Sequence, residues 1–172
     1  MAVEYPRLHE PFALDIETHD PNLKELGPGP RRKDGRVLGV AIATENREWW
    51  LPMNDHTRQW LRTHDHLDII GANISYDLDW LQYETYLPAG RCWDIQTAEA
   101  LIDEYKSTFS LDSLAQEYLG VGKETTEIDA WCAERGLKGD SRKHLYLMPE
   151  ELVAKYAKMD VRRTFDVFEK QK

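Results

Sequence analysis

Cysteine is scarce in this 172-residue chain. The two that occur, Cys92 and Cys132, lie far apart and belong to no Cys-x-x-Cys or Cys/His cluster, which argues against a disulfide framework or a zinc site and leaves buried free thiols as the expectation. No run of about 18 apolar residues is long enough to cross a membrane. The opening MAVEYPRLHEPF lacks the basic start and apolar stretch of a secretory signal, so the expectation is a cytoplasmic protein with no membrane partner. Positive charge is in deficit as well: 22 Lys and Arg face 31 Asp and Glu, a formal charge of −9. That balance excludes a module that grips nucleic acid by bulk attraction to phosphates. A cluster of cation-binding acids would account for part of the excess, and basic spots do occur at Arg31–Arg32–Lys33, Arg142–Lys143 and Arg162–Arg163. Each of these spots alone also fits a solvated surface.

What is present describes a globular chain. Hydrophobic residues make up 41% and charged residues 31%, which rules out a disordered or fibrous composition, and the length suits one domain spanning residues 1–172. Phe12 to Thr18 alternates with period two, setting Phe12, Leu14 and Ile16 on one face of a strand and Ala13, Asp15 and Glu17 on the other. A polar stretch from Asp20 to Arg36, rich in Gly and Pro, reads as a loop and as the best candidate for a mobile segment. Strands over Val37–Thr44 and Glu48–Leu51 suggest a hairpin. A short helical segment around Trp60–Leu61, a strand over Leu67–Ala72, a helix over Ile74–Tyr83, a strand at Arg91–Asp94 and a helix over Thr97–Tyr105 follow. Ser110 and Gly120 punctuate a helix between them as cap residues. The pattern weakens from Val121 to Met148, although Ile128, Trp131 and Cys132 share a helical face, and a last helix opens at Pro149 and runs to about Lys170. Early grouped strands and later alternation with helices predict an α/β fold: one mixed sheet flanked by helices.

Three short patterns carry acids that chemistry could use. Asp15 and Glu17 point the same way from one strand. Asn73 and Asp77 stand four apart, a spacing that stacks them on one helical face. Tyr156, Asp160 and Thr164 form a stripe beside the apolar stripe Val153, Ala157, Val161, Phe165 and Phe168 of the last helix, where a lone acid is costly unless compensated. Cleaving a phosphodiester calls for a water activated at neutral pH and for a home for charge on the leaving oxygen, which two divalent cations about 3.5–4 Å apart supply. Hard cations take carboxylate oxygens. Each pattern alone fits an ordinary strand face, helix cap or surface acid; their order along the chain is the informative feature.

In that order, Asp-x-Glu, Asn-x-x-x-Asp and Tyr-x-x-x-Asp resemble the three motifs of the DEDDy 3′→5′ exonucleases, and the proofreading domain of bacterial and phage family A DNA polymerases above all. The phrases FALDIET, IIGANISYDLDWL, WDIQTAEALID and FSLDSLAQEYLG agree, so the resemblance covers about Pro11 to Phe168. It implies an RNase H-like sheet and two divalent ions, Mg²⁺ or Mn²⁺. It further implies that Asp15, Glu17 and Asp160 hold the ion that activates water, with Asp15 bridging to a second ion that Asp77 binds through water. Tyr156 would orient the attacking water, while Thr18, Asn73 and Tyr76 would place the 3′-terminal nucleotide. The related histidine branch would need His at the position of Lys155, so it is excluded. Residues 124–140 depart most from the family phrasing, which leaves substrate contacts through Ile128 or Trp131 open. The implied substrate is a single-stranded DNA 3′ end. The chain would work alone, with a separate polymerase, or as the N-terminal part of a longer one. Trimming of RNA 3′ ends in the manner of ribonuclease D, an inactive binding or scaffold module, and an RNase H-like endonuclease are the alternatives.

Overall fold

The computed structural model describes residues 3–122 and 124–172, so of the span 1–172 only residues 1, 2 and 123 lie outside the described residues. Five strands form one sheet in the order β3-β2-β1-β4-β5: β1 (Phe12–His19), β2 (Arg36–Ala43), β3 (Glu48–Pro52), β4 (Ile69–Gly71) and β5 (Cys92–Asp94). β1 pairs antiparallel with β2, and β2 with β3, as the expected hairpin requires. β4 and β5 add in parallel on the other side of β1, which makes the sheet mixed. The central strand is therefore the one that carries Asp15 and Glu17.

The period-two reading of β1 holds. Phe12, Leu14 and Ile16 enter one core with Val40, Ile42, Trp60 and Leu81, beneath α2 (Asp55–Thr63) and α3 (Ile74–Leu81). Ala13 enters the opposite core with Ala41, Ala43, Ile70 and Leu114, beneath α5 (Leu111–Leu119) and the long α7 (Glu150–Gln171). Alanine at three sheet positions on that face leaves room for α7 to lie close across the strands, where Ala157, Val161 and Phe165 fill the gap. A third cluster joins α6 (Thr126–Glu134), Leu145, Met148 and Val153 under Tyr156.

At Glu17 the register changes: Glu17 pairs with Gly39, but Thr18 pairs with Val37. Such a bulge re-aims the side chains that follow it. Gly39 is required here because a Cβ would sit 2.4 Å from the Trp50 ring.

Several boundaries differ from the sequence expectation for local reasons. The stretch from Asp20 to Arg36 contains a short helix, α1 (Leu23–Leu26), and is clasped by Arg32, which donates to the carbonyls of Leu26, Gly27 and Pro28 and bridges Asp20 and Asp34. α4 (Ile95–Ile102) starts before Thr97 because Asp94 caps it, accepting from the amides of Gln96 and Thr97. The same carboxylate accepts from the amides of Asn73 and Ile74 and so caps α3 as well. Asn73 itself adopts the left-handed conformation, φ 57°, and is exposed, so it does not share a helical face with buried Asp77 as its spacing suggested. The weak stretch before Pro149 holds α6 and a 3₁₀ helix over Ser141–Leu147. Both cysteines are free, but only Cys132 is buried; Cys92 is exposed because β5 is an edge strand. Among the described residues no helix is long and apolar enough to cross a membrane.

Candidate active site

β1 delivers Asp15 and Glu17 from the middle of the sheet, and α3 delivers Asp77 against the same strand. The backbone N–H of Ile16, between the two strand acids, donates to Asp77 Oδ1 at 2.9 Å. Asp77 is only 3% exposed and Glu17 only 9%, so these are buried charges rather than a surface patch. α7 closes the site from its other side with Tyr156 and Asp160, one turn apart.

The electrostatics bind the set together. Burial pushes the Asp15 carboxyl well above the usual range, and Asp77, Glu17 and Asp160 push it further, with Arg163 opposing. Glu17 is raised in the same way by burial, Asp160 and Asp77, with Arg142 opposing. Burial raises Asp77 to about 8 although the Ile16 amide pulls it down. The Tyr156 hydroxyl is pushed far upward by burial and by facing Asp160, Glu17 and Asp15. The four expected acids therefore sit together, and three of them, Asp15, Glu17 and Asp160, face the expected tyrosine. Among the described residues, no donor hydrogen-bonds the carboxylates of Asp15 or Glu17.

Asp15, Glu17 and Asp77, with this little solvation, cannot all ionise without cations to compensate them. Oxygen donors in a dry, like-charged group fit hard divalent ions. Among the described residues no three side chains are already drawn into a cage. Asp77 is held by the Ile16 amide and Asp160 by Arg163, so ion binding would recruit carboxylates that protein donors already engage.

A cleft of about 580 Å³ opens from Glu17 and is lined by Thr18, Tyr76, Lys24, Arg142, Lys143 and Tyr146, among others. Thr18 and Tyr76 are joined there by a hydroxyl–hydroxyl hydrogen bond of 2.8 Å, and Tyr76 also donates to Asp20. Burial lifts the Tyr76 phenol to about 12. His19 and Tyr146 stack across the cleft with ring centroids 3.8 Å apart. Asn73 does not line this cleft; its side chain accepts from Ser75 at the start of α3. Of the two residues suggested for substrate contact in 124–140, Ile128 is core beneath Tyr156 and edges a small cleft of about 200 Å³, while Trp131 lies under the Arg135 guanidinium at 4.1 Å.

Sequence reasoning missed Arg163, His19 and Tyr146. Arg163 was visible only as half of an Arg-Arg pair; its place between Val161 and Thr164, on the stripe that α7 buries, was the available signal.

A family model for the 3′-5′ exonuclease of family A DNA polymerases matches residues 2–171. The chain belongs to this exonuclease family. The exonuclease is 30% identical over 175 residues to a DNA-directed DNA polymerase of Pseudomonas phage M6, covering 92% of this chain and 26% of that protein. It is 30% identical over 151 residues to the DNA polymerase DpoZ of Acinetobacter phage SH-Ab 15497, covering 81% of this chain and 24% of that one. It thus spans about a quarter of the length of these relatives. Among solved structures, Brucella melitensis NrnC bound to pGG superposes with a TM-score of 0.67 at 16% identity, over 94% of this chain and 71% of that one. The EXO domain of Aedes aegypti Nibbler gives 0.62 at 13% identity, over 94% and 77%. The RNase H-like sheet expected from the motifs is the fold observed.

Proposed function

We propose that this chain is a divalent-ion-dependent 3′→5′ exodeoxyribonuclease that releases 5′-mononucleotides from single-stranded DNA 3′ ends, as the proofreading part of a family A polymerase acting in the cytoplasm. The observation that carries the reading is the grouping of Asp15, Glu17, Asp77 and Asp160, three of which face Tyr156, beside a cleft whose basic and aromatic walls begin at Glu17. Two ions held by the four acids would lower the pKa of a water and take up charge on the leaving oxygen.

The chain's own residues would do the rest. Tyr156, whose phenol is pushed upward, keeps its proton at neutral pH, so it orients a water by hydrogen bonding rather than acting as a base. Thr18 and Tyr76 present a paired hydroxyl wall to the terminal nucleotide, and Asn73 stands at the start of the same helix. The stacked His19–Tyr146 pair offers an aromatic face to an unpaired base, while Arg142 and Lys143 offer charge to its phosphate. The phage polymerase relatives support DNA as substrate and a polymerase as the covalent or separate partner. The ion-binding reading is also in keeping with the Mg²⁺-bound NrnC structure.

The test is digestion of matched single-stranded DNA and RNA oligonucleotides, labelled at the 3′ or the 5′ end, with Mg²⁺ or with chelator. Mononucleotides released from the 3′ end of DNA, dependent on the ion and abolished by Asp15→Ala, are expected. Faster release from RNA would move the chain to a ribonuclease D-like role. Internal fragments would make it an endonuclease, and binding without cleavage would make it a scaffold. NrnC is bound to pGG, so a dinucleotide belongs among the substrates.

A further inference from the structure

Arg163 follows Asp160 by one turn of α7 and turns its guanidinium back onto that acid, donating from Nη2 to Asp160 Oδ1. Its other arm, Nη1, donates to Asp112 Oδ1 at 3.3 Å, in the first turn of α5, and to the Gly122 carbonyl at 3.1 Å. The side chain is 9% exposed, and Nε finds no acceptor among the described residues. A surface arginine three residues from an acid is worth little and is free to leave. This one is buried and held by three groups from three parts of the chain, so it cannot drift without exposing a buried charge to the apolar face of α7.

We propose that Arg163 is a positioning residue of the carboxylate cluster. It fixes Asp160 by one oxygen, leaving the other as a ligand, and through Asp112 and Gly122 it ties the ion site to the start of α5 and the segment that follows. The inference rests on the divalent-ion reading of the four acids. Carboxylates that bind ions are commonly oriented by a hydrogen-bond donor behind them, and loss of such a donor lowers ion affinity. The competing role, a built-in cation that occupies Asp160 in place of an ion, predicts the opposite sign: removing a positive charge beside four acids should tighten ion binding.

Isothermal titration of the full chain with Mn²⁺ alone separates the two. Arg163→Met should weaken Mn²⁺ binding by about 10–100-fold. Arg163→Lys, which keeps the charge but loses the fork, should fall between Met and the wild type. Asp112→Asn should weaken binding less, because Gly122 still anchors the guanidinium. Circular dichroism and thermal melting verify that each variant is folded at the titration temperature. If Arg163→Met does not fold, Arg163→Lys and Asp112→Asn decide. Binding as tight as wild type in the folded variants overturns the positioning role, and tighter binding overturns it and assigns Arg163 as the competitor. A wild-type chain that binds no Mn²⁺ removes the ion reading itself, a failure distinct from unchanged binding in the variants.

Discussion

Asp77 carries the cost of a buried carboxylate. Burial raises its carboxyl from 3.8 to about 8. Below about pH 4 it holds a proton in both the folded and unfolded chain. Between about 4 and 8 the unfolded chain has released that proton while the folded chain retains it, so stability falls as pH rises across this window and levels off above it. Asp15 and Glu17 are raised too and act in the same direction. In chelator, then, the melting temperature should drop from pH 5 to pH 8, and Mn²⁺ should restore it at the upper end; a flat chelator profile would contradict the buried cluster. Asp77→Asn keeps the Oδ1 acceptor for the Ile16 amide and removes the charge. It should raise the chelator melting temperature at pH 8 by about 2–8 °C, for a gain of about 1–2 kcal/mol at this chain length, while abolishing nucleotide release. Tyr156→Phe should leave the melting temperature near wild type and slow single-turnover hydrolysis by about 10–100-fold, since it loses only an orienting hydroxyl. At this scale the acids were legible because their residue types and order are themselves the motif. Arg163 was not: an Arg-Arg pair on a helix reads as surface until α7 is known to face Asp112. Asn73 misled for a related reason, since four-residue spacing implies a shared face only inside a helix, and Asn73 is the residue before it.

Among the elements, the junction of β4, β5, α3 and α4 is the one most dependent on a single side chain. Asp94 ends β5 and caps two helices at once, taking the first amides of α3 and of α4. A cap is worth about 0.5–2 kcal/mol, so Asp94→Ala should cost about 1–4 kcal/mol in a urea unfolding series. It should also weaken Mn²⁺ binding, because α3 carries Asp77. A loss below about 0.5 kcal/mol would mean that the two helices do not depend on the shared carboxylate. This junction also shows what sequence could not supply. WDIQTAEALID reads as an apolar helix beginning near Thr97, and nothing local says that the preceding Asp turns toward amides twenty residues back. β1 needed no such partner: alternation alone placed Phe12, Leu14 and Ile16 in one core and Ala13 in the other. The stretch from Asp20 to Arg36 is intermediate. Its Gly and Pro content marks a loop, but the clasp that Arg32 makes on three carbonyls and two acids depends on the folded path.

Taken as a whole, a chain of formal charge −9 that handles nucleic acid must do so locally. Much of its positive charge is committed within the fold: Arg32 to Asp20 and Asp34, Arg58 to Glu84 and Asp55, Arg162 to Glu48 and Asp166, and Arg163 to Asp160 and Asp112. Along the cleft that leaves Lys24 and Lys143, which enter no ion pair among the described residues, and Arg142, which is shared with Asp140. Two or so phosphates can be neutralised there, and the rest of the surface should repel the strand. For single strands the slope of log affinity against log salt is about −0.7 per phosphate neutralised, so two contacts give about −1.4. Fluorescence anisotropy with a labelled oligo-dT and the Asp15→Ala chain in chelator, conditions in which the proposed activity would spare the probe, reads this slope directly. Arg142→Ala combined with Lys143→Ala leaves Lys24 alone and should bring the slope to about −0.7 or shallower, weakening binding most at low salt, where the phosphate contribution is largest. A wild-type slope steeper than about −4 would require a broad basic track, which this charge distribution does not contain. Retention of the full slope in the double variant would place the strand somewhere other than the cleft beside Glu17.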